Sequence, residues 1–351
     1  AFLFLFISVL EESGYMSRVV FLMDRVMRRF GLSGKSLVPL ISGTACAIPA
    51  VMATRNIENW KERLITILVI PFTTCSARLP VYLIIIALVI PEGTIIGLSY
   101  QALTLMALYL IGFGMAILSA YILDRILKTK HKTFFVVEMP NYKLPLLKNV
   151  IITVIEKTRT FVFEAGKIIL AISVILWVLA SYGPGDKFNN AEAYVKATSA
   201  SQTTYERNDQ VAAYKLEHSY IGIVGKAIEP LIRPLGYDWK VGIGLVASFA
   251  AREVFVGTLA TIYSVGSANE GENIDTIKTK MANETYADGT KVFTLASGIS
   301  LLLFYAFAMQ CMSTLAIVKR ETKSWKWPIL QLIGMTAIAY ICALIAFQFL
   351  K

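Results

Sequence analysis

The chain is poor in the groups from which many functional sites are built. It has only two histidines, His131 and His218, both in polar segments, so a histidine-built metal site among the apolar stretches is excluded. Its four cysteines, Cys46, Cys75, Cys311 and Cys342, all lie in apolar stretches. None is spaced C-x₂-C, the pattern of metal fingers and dithiol redox motifs. Charged residues make up only 17% of the 351 residues, and the formal charge of +10 is spread along the chain rather than gathered into a nucleic-acid-binding patch. No initiator Met and no basic n-region precede the opening "AFLFLFISVL", so a signal peptide is not read there. Glu11 and Glu12 follow after ten residues, half a membrane span. The expectation is a chain cut inside a helix, with an upstream part missing.

A complete phosphate loop is lacking too. "GLSGKS" supplies Gly34-Lys35-Ser36, but Arg29 stands where G-x-x-x-x-G-K-[ST] needs its first glycine. The preceding "MDRVMRRF" reads as a basic helix end rather than the strand that feeds such a loop. This stretch is not a nucleotide site.

What the chain has in quantity is apolar length. Hydrophobic residues reach 56% and mean hydropathy is +0.61, too apolar for an ordinary soluble domain. Apolar runs near 98–123, 161–181, 241–263, 292–318 and 328–350 each approach the roughly 20 residues that cross a bilayer. The fold class is therefore all-α, a polytopic helical membrane protein. Lys and Arg outnumber acids by eight to three in 124–160, four to one in 319–327 and four to one in 24–35. The positive-inside rule places these segments in the cytoplasm. Acids prevail by five to three in 265–292, which is read as external, while 182–240 balances at seven against seven.

Several apolar segments are broken. "SLVPLISGTACAIPAVMA" contains Pro39, Gly43 and Pro49; "RLITILVIPF" ends on Pro71 and Phe72; Pro80 follows in "CSARLPVY". A helical proline deprives the carbonyl four residues earlier of its partner, so Pro49 frees Ala45, beside Cys46, and Pro80 frees Ser76, beside Cys75. Irregular backbone at membrane depth persists where it is buried in protein or lines a polar cavity, and discontinuous helices hold the sites of many transporters. A weak internal repeat points the same way. "CAIPAVMAT" (46–54) aligns with "EVFVGTLAT" (253–261), which sets Cys46 opposite Glu253, and "CSARL" (75–79) aligns with "CMSTL" (311–315).

The organisation expected from these signals runs as follows. Residues 1–35 hold a truncated transmembrane helix and a connector, and 36–123 a first repeat with the following span. The basic connector is 124–160; a span, a polar loop and an amphipathic interfacial helix at 219–240 fill 161–240. The second repeat occupies 241–318 around the insertion 265–292, and 319–351 forms a cytoplasmic turn and the last span.

The candidate ligands are Cys46, Cys75, Cys311, Glu253, Glu12 and Glu11. Thiolate suits Fe²⁺ and related ions, and carboxylate adds harder oxygen donors. An acid inside an apolar stretch, as Glu253 is, is a functional candidate by default; the competing role is an ion pair with Arg252. Glu11 and Glu12 have an interfacial role or a pairing with Arg18 as their alternative. For the cysteines the alternative is plain packing, and Cys342 is assigned to it. Arg78 beside Cys75 either lowers the thiol's pKa or pairs with an acid.

The block "EESGYMSRVVFLMDRVMRRFGLSGKSLVPLISGTACAIPAVMATRNIENWKERLITILVIPFTTCSARLPVY" resembles the membrane domain of the FeoB family of bacterial ferrous iron transporters. "AAREVFVGTLATIY" and "CMSTLAIVKRETKSWKW" resemble that family's second half. The resemblance implies two inverted Gate repeats, Fe²⁺ as the transported ion and the cytoplasmic (inner) membrane as location. It also implies an upstream G domain that would hold GTP and Mg²⁺, and a small cytoplasmic FeoA-like partner. Cys46 in "GTACAIP", Cys75 in "PFTTCSARLP" and Cys311 in "AMQCMSTLA" stand at the family's cysteine positions. Ala45 replaces a common Gly, and Gln310 replaces a common Pro, which argues against a broken helix at Cys311. Besides the bilayer, a homo-oligomer is compatible with the resemblance, and nucleic acid is not an expected partner. The segment carries no catalytic motif. The alternative is a nucleoside or other small-solute permease of Gate-repeat type; an intramembrane redox enzyme is weaker for want of C-x-x-C, haem or quinone motifs.

Overall fold

The computed structural model describes residues 2–91, 93–95, 97–127, 145–184, 214–249, 254–262, 291–309 and 311–351, with single positions 190, 211, 252, 281 and 285. Glu253, Gln310, most of the insertion 265–292 and the middle of the basic connector 124–160 lie outside the described residues. Helices α1 (Phe2–Glu12) and α2 (Tyr15–Met27) lead into four shorter ones, α3 (Leu37–Ala45), α4 (Ala47–Ala53), α5 (Trp60–Val69) and α6 (Leu79–Val89). A small antiparallel hairpin, β1 (Thr94–Ile95) with β2 (Leu98–Ser99), precedes α7 (Tyr100–Ile126) and α8 (Leu147–Ser181). The remaining helices are α9 (Tyr220–Ile232), α10 (Trp239–Ala247), α11 (Val254–Ile262), α12 (Leu295–Phe307), α13 (Met312–Thr322) and α14 (Lys326–Leu350).

Among the described residues five segments are long and apolar enough to cross a bilayer: Trp60–Val89, Tyr100–Ile126, Leu147–Ser181, Leu295–Thr322 and Lys326–Leu350. Their exposed faces are apolar. On α8, Ile152, Phe163, Leu170, Ile175 and Trp177 are all more than half exposed. Water would not tolerate so long an uncovered stripe, whereas hydrocarbon favours it. The molecule is an all-α, multi-pass membrane protein.

The apolar run 241–263 departs from the expectation of one span. It is two short helices, α10 and α11, because Gly244 leaves room for the Phe255 ring to lie directly on α10, and a Cβ there would sit 2.7 Å from the ring. The chain therefore doubles back instead of continuing. Helix α9 occupies the 219–240 stretch; its Ile221, Gly222, Gly225 and Ile232 are buried while Tyr220, Ile223 and Leu231 face outward.

The chain divides into two compact units. The first comprises Ala1–Ser76, Tyr109–Ile169 and Ser313–Ile333; the second comprises Ala77–Leu108, Leu170–Met312 and Gly334–Lys351. In the first, charged residues at helix ends pair with one another. Lys35 meets Glu58 at 3.0 Å, Lys61 meets Asp124 at 2.6 Å, and Glu321 lies between Arg55 and Arg63 at 2.5 and 2.6 Å. Since Lys35 precedes α3 and Glu58 follows α4, residues 36–57 leave and return to one place. Helices α3 and α4 form a hairpin with Cys46 between them. In the second unit, Tyr220 N–H donates to Tyr182 O at 3.1 Å and the Tyr340 hydroxyl to Leu231 O at 3.0 Å. A buried polar chain runs from Tyr237 to Ser300, which share a hydrogen bond of 2.8 Å, and on from Ser300 Oγ to Ala343 O at 3.0 Å.

Candidate functional site

The three cysteines of the sequence motifs each stand at an interruption of helical structure. Cys46 has extended backbone, φ −156° and ψ 133°, between the last residue of α3 and the first of α4. Pro49 falls in the first turn of α4, where its missing amide has no helical partner to lose, so the proline marks the restart of the helix. The same holds for Pro80 in the first turn of α6, after the non-helical residues that contain Cys75. Cys311 lies in the gap between α12 and α13, whose last helical turn ends at Ala308 with an extended ψ of 139°. The expectation that Gln310 in place of proline argues against a break here is therefore corrected.

The carbonyls released at these interruptions find side-chain donors from distant parts of the chain. Ala45 O, left without a helical partner because α3 stops at Cys46 and not because of Pro49, accepts a hydrogen bond from Ser76 Oγ at 2.8 Å. Ile67 O, freed by Pro71, accepts from Gln331 Nε2 at 3.3 Å, and the neighbouring Leu68 O accepts at 3.0 Å from the same amide. In the second unit, the buried Arg252 guanidinium donates to Tyr305 O at 3.3 Å and to Ala308 O at 2.9 Å. Arg252 thus does for the α12 terminus what a proline-based break does not need to explain: it supplies donors where the helix stops. Phe249 O, in the break between α10 and α11, accepts from Met312 N–H at 3.2 Å, beside Cys311.

The Ser76–Ala45 bond brings the first two breaks together, with Cys46 and Cys75 each one residue from it. The approach is close because glycines line it. A Cβ on Gly43, in "GTAC", would sit 2.6 Å from Thr73 Oγ1, and one on Gly112 of α7 would sit 2.8 Å from Thr74 Oγ1 and 3.1 Å from Phe72 O. The 72–75 segment is held between these two glycines. Thr74 is 2% exposed, and its hydroxyl has no hydrogen-bond partner. Sequence reasoning passed over Thr74; the polar run "TTCS" inside an apolar stretch was the signal available. Beside α4 opens a cleft of about 320 Å³, lined by Ser42, Pro49, Met52, Asn56, Thr153 and Glu156 among others.

The remaining candidates separate from this cluster. Glu12 Oε1 accepts from Asn149 Nδ2 at 2.9 Å, which ties the end of α1 to the start of α8. Cys342 is half-buried on α14. All four cysteines are outside any disulfide. Among the described residues of either unit, no three His, Cys, Asp or Glu side chains gather as a metal site would require. The "GKS" stretch has a structural job: Gly34 N–H donates to Asp24 Oδ1 at 2.8 Å and Lys35 pairs with Glu58.

Comparison with known proteins adds the following. A family model described as nucleoside recognition, the Gate family, matches residues 1–89 and 162–325. A second, described as ferrous iron transport protein B C terminus, matches 105–157. A protein of Leptospira interrogans named Fe(2+) transporter FeoB is 44% identical over 347 residues, 99% of this chain and 47% of that protein. One of the same name from Staphylococcus aureus is 36% identical over 348 residues, 99% of this chain and 45% of that protein. A Porphyromonas gingivalis protein named as a fusion of Fe(2+) transport protein A and Fe(2+) transporter FeoB is 34% identical over 356 residues, 99% of this chain and 41% of its own length. The chain thus spans about half the length of these relatives. No solved structure matches it significantly.

Proposed function

Since the chain belongs to the Gate family and corresponds over almost its whole length to the C-terminal half of FeoB-type proteins, we propose that it forms the membrane path of a ferrous iron transporter. The observation that carries this reading is the Ser76–Ala45 hydrogen bond, which sets two broken, cysteine-bearing segments side by side. Fe²⁺ accepts thiolate together with oxygen donors. Cys46 and Cys75 supply the sulfur, and the Thr74 hydroxyl and the second lone pair of Ala45 O supply oxygen. Cys311 and Glu253, at the matching sequence positions of the second repeat, and Glu11 and Glu12 are further candidate ligands for the ion. The cleft beside α4, with Met52, Asn56 and Glu156, is the cytoplasmic vestibule. The relatives are about twice as long, which leaves room for the upstream GTP- and Mg²⁺-binding G domain that the family resemblance implies as regulator of the path. The fusion in the Porphyromonas relative favours a small FeoA-like protein as a partner. The host bilayer is the bacterial inner membrane.

The test is anaerobic uptake of radioactive Fe²⁺ by proteoliposomes carrying the full-length protein. Cys46→Ser and Cys75→Ser keep size and polarity but lose soft-ligand character. Each is expected to cut uptake about tenfold, the scale of roughly 1.4 kcal/mol of ion stabilisation, with folded yield unchanged. Cys342→Ser is expected to be silent. Undiminished uptake in the triple variant at Cys46, Cys75 and Cys311 would rule out thiol ligation. The family's description as nucleoside recognition supports a second reading, a nucleoside carrier. Labelled nucleoside accumulating in the same vesicles, insensitive to thiol alkylation, would favour that reading instead.

A further inference from the structure

Helix α2 differs from the spans in its length and in what its outer side carries. Its 13 residues extend about 20 Å, short of the roughly 30 Å of a bilayer's hydrocarbon core. It does not continue α1 either, since Gly14 between them has left-handed backbone, φ 78°. One side of α2 is fixed to the first unit. Val20 and Met27 are buried, Asp24 Oδ1 accepts from Gly34 N–H at 2.8 Å, and Gly34 leaves no room for a Cβ against Val20 O.

The outer side carries two stripes of opposite character. Tyr15, Leu22 and Val26, spaced i, i+7 and i+11, form one line along the helix and are 48%, 74% and 44% exposed. Beside that line stands Arg25, with Arg29 four residues on, in the turn Arg28–Phe30 that continues the helix; both are exposed. Arg28 is exposed too, but it already pairs with Asp24 at 2.5 Å. In bulk water the apolar stripe would stay uncovered. In hydrocarbon the guanidinium groups would be stripped of water. The boundary between the two media satisfies both stripes at once, and large apolar groups with arginines alongside are what a helix lying in the headgroup plane presents. Charge selects the lipid: Arg25 and Arg29 are complemented by an anionic headgroup, whereas a zwitterionic one offers no net attraction.

We propose that α2 lies in the plane of one membrane surface and binds anionic phospholipid there. Tyr15, Leu22 and Val26 meet the acyl chains, and Arg25 and Arg29 meet the headgroup phosphates. Because Val20 and Asp24 hold the residues that lead into α3, the bound lipid fixes the root of the α3–α4 hairpin at that surface.

The experiment uses the full-length protein with Leu22→Cys, labelled with bimane in a background without native cysteines. It is placed in nanodiscs of phosphatidylcholine and phosphatidylglycerol in which one lipid or the other has brominated acyl chains. Bromine quenches at contact range, so brominated phosphatidylglycerol is expected to quench more than brominated phosphatidylcholine at equal content. Each basic residue at an anionic surface is worth about fivefold. Arg25→Gln with Arg29→Gln should therefore remove most of the preference, while Arg25→Lys with Arg29→Lys should keep it. Salt raised to about 1 M should weaken it. Quenching by brominated phosphatidylcholine should persist in the glutamine variant, which shows that the helix is still folded in place. Equal quenching by the two lipids before substitution, or a preference untouched by the glutamines, would overturn the proposal. So would a bimane quenched by aqueous iodide and not by bromolipid, or one shielded from both by the upstream half of the protein or a second copy.

Discussion

The Arg252 guanidinium, 5% exposed, reaches two carbonyls at the end of α12, and no acid is needed to account for its burial. The sequence left an ion pair with Arg252 as the competing role for Glu253. The structure gives the guanidinium to Tyr305 O and Ala308 O, while Glu253 lies outside the described residues. A buried donor–acceptor set of this kind is expensive to break, since truncation strands carbonyls away from water. Arg252→Met should therefore lower stability by about 2–4 kcal/mol, the range for losing a buried charged hydrogen-bond partner. The check is Tm and folded yield by size-exclusion chromatography. Arg252→Lys should recover part of the loss, because one ammonium can serve one of the two carbonyls. A wild-type Tm in Arg252→Met would show that water reaches those carbonyls.

At the scale of elements, the first two breaks close on each other only because Gly43 and Gly112 carry no side chain. A methyl group on Gly112 must displace Thr74 Oγ1 and Phe72 O, and one on Gly43 must displace Thr73 Oγ1. Gly112→Ala is expected to reduce Fe²⁺ uptake several-fold by shifting the 72–75 segment. Thr74→Ala removes the atom closest to that methyl group. In the double variant the two effects should fall short of additivity by about 0.5–3 kcal/mol, as they do for residues in contact. Full additivity in uptake and Tm would mean that α7 does not confine this segment. These breaks were legible in the sequence to different degrees, for physical reasons. Pro49 and Pro80 announce the interruptions at Cys46 and Cys75 because a missing amide is a local property. The interruption at Cys311 was not legible: Gln310 gives no local signal, and the donors that end α12 come from Arg252, over fifty residues away. The donors to Ala45 and Ile67, Ser76 and Gln331, are likewise distant in sequence. Apolar length also made one span of 241–263, because it cannot tell a continuing helix from one that doubles back over glycine.

For the whole molecule, element order and pairing bear on the two repeats. A nine-residue helix precedes the first break in each: α3 before Cys46, and α10 before residues 248–253. A longer broken segment follows in each, α5 to α6 and α12 to α13. Membership of the compact units is exchanged symmetrically. The first unit holds α3, α4 and α5 with nearly all of α13, and the second holds α10, α11 and α12 with α6. Such an exchange relates the two copies without setting their relative direction, which the labelling below tests. The Lys35–Glu58 pair makes the α3–α4 hairpin re-entrant from the side on which it starts, which the Lys/Arg bias of 24–35 assigns to the cytoplasm. If 60–89, 100–126 and 147–181 each cross, the expectation is that the β1–β2 hairpin lies outside, that Asp124 returns to the side of Lys61, and that Tyr182 and Tyr220 lie outside. Inversion then requires the α10–α11 pair to enter from outside. Charge alone gives no side to 182–240, with its seven basic and seven acidic residues, so the prediction is independent of the positive-inside rule there. In a background without native cysteines, a single cysteine at Lys35 should react with an impermeant maleimide only in inside-out vesicles. One at Lys240 should react in intact cells. A cysteine at Lys319 should follow Lys35, since Glu321 binds Arg55 and Arg63. If Lys35 and Lys240 label from the same side, the repeats are parallel and the inverted arrangement is wrong.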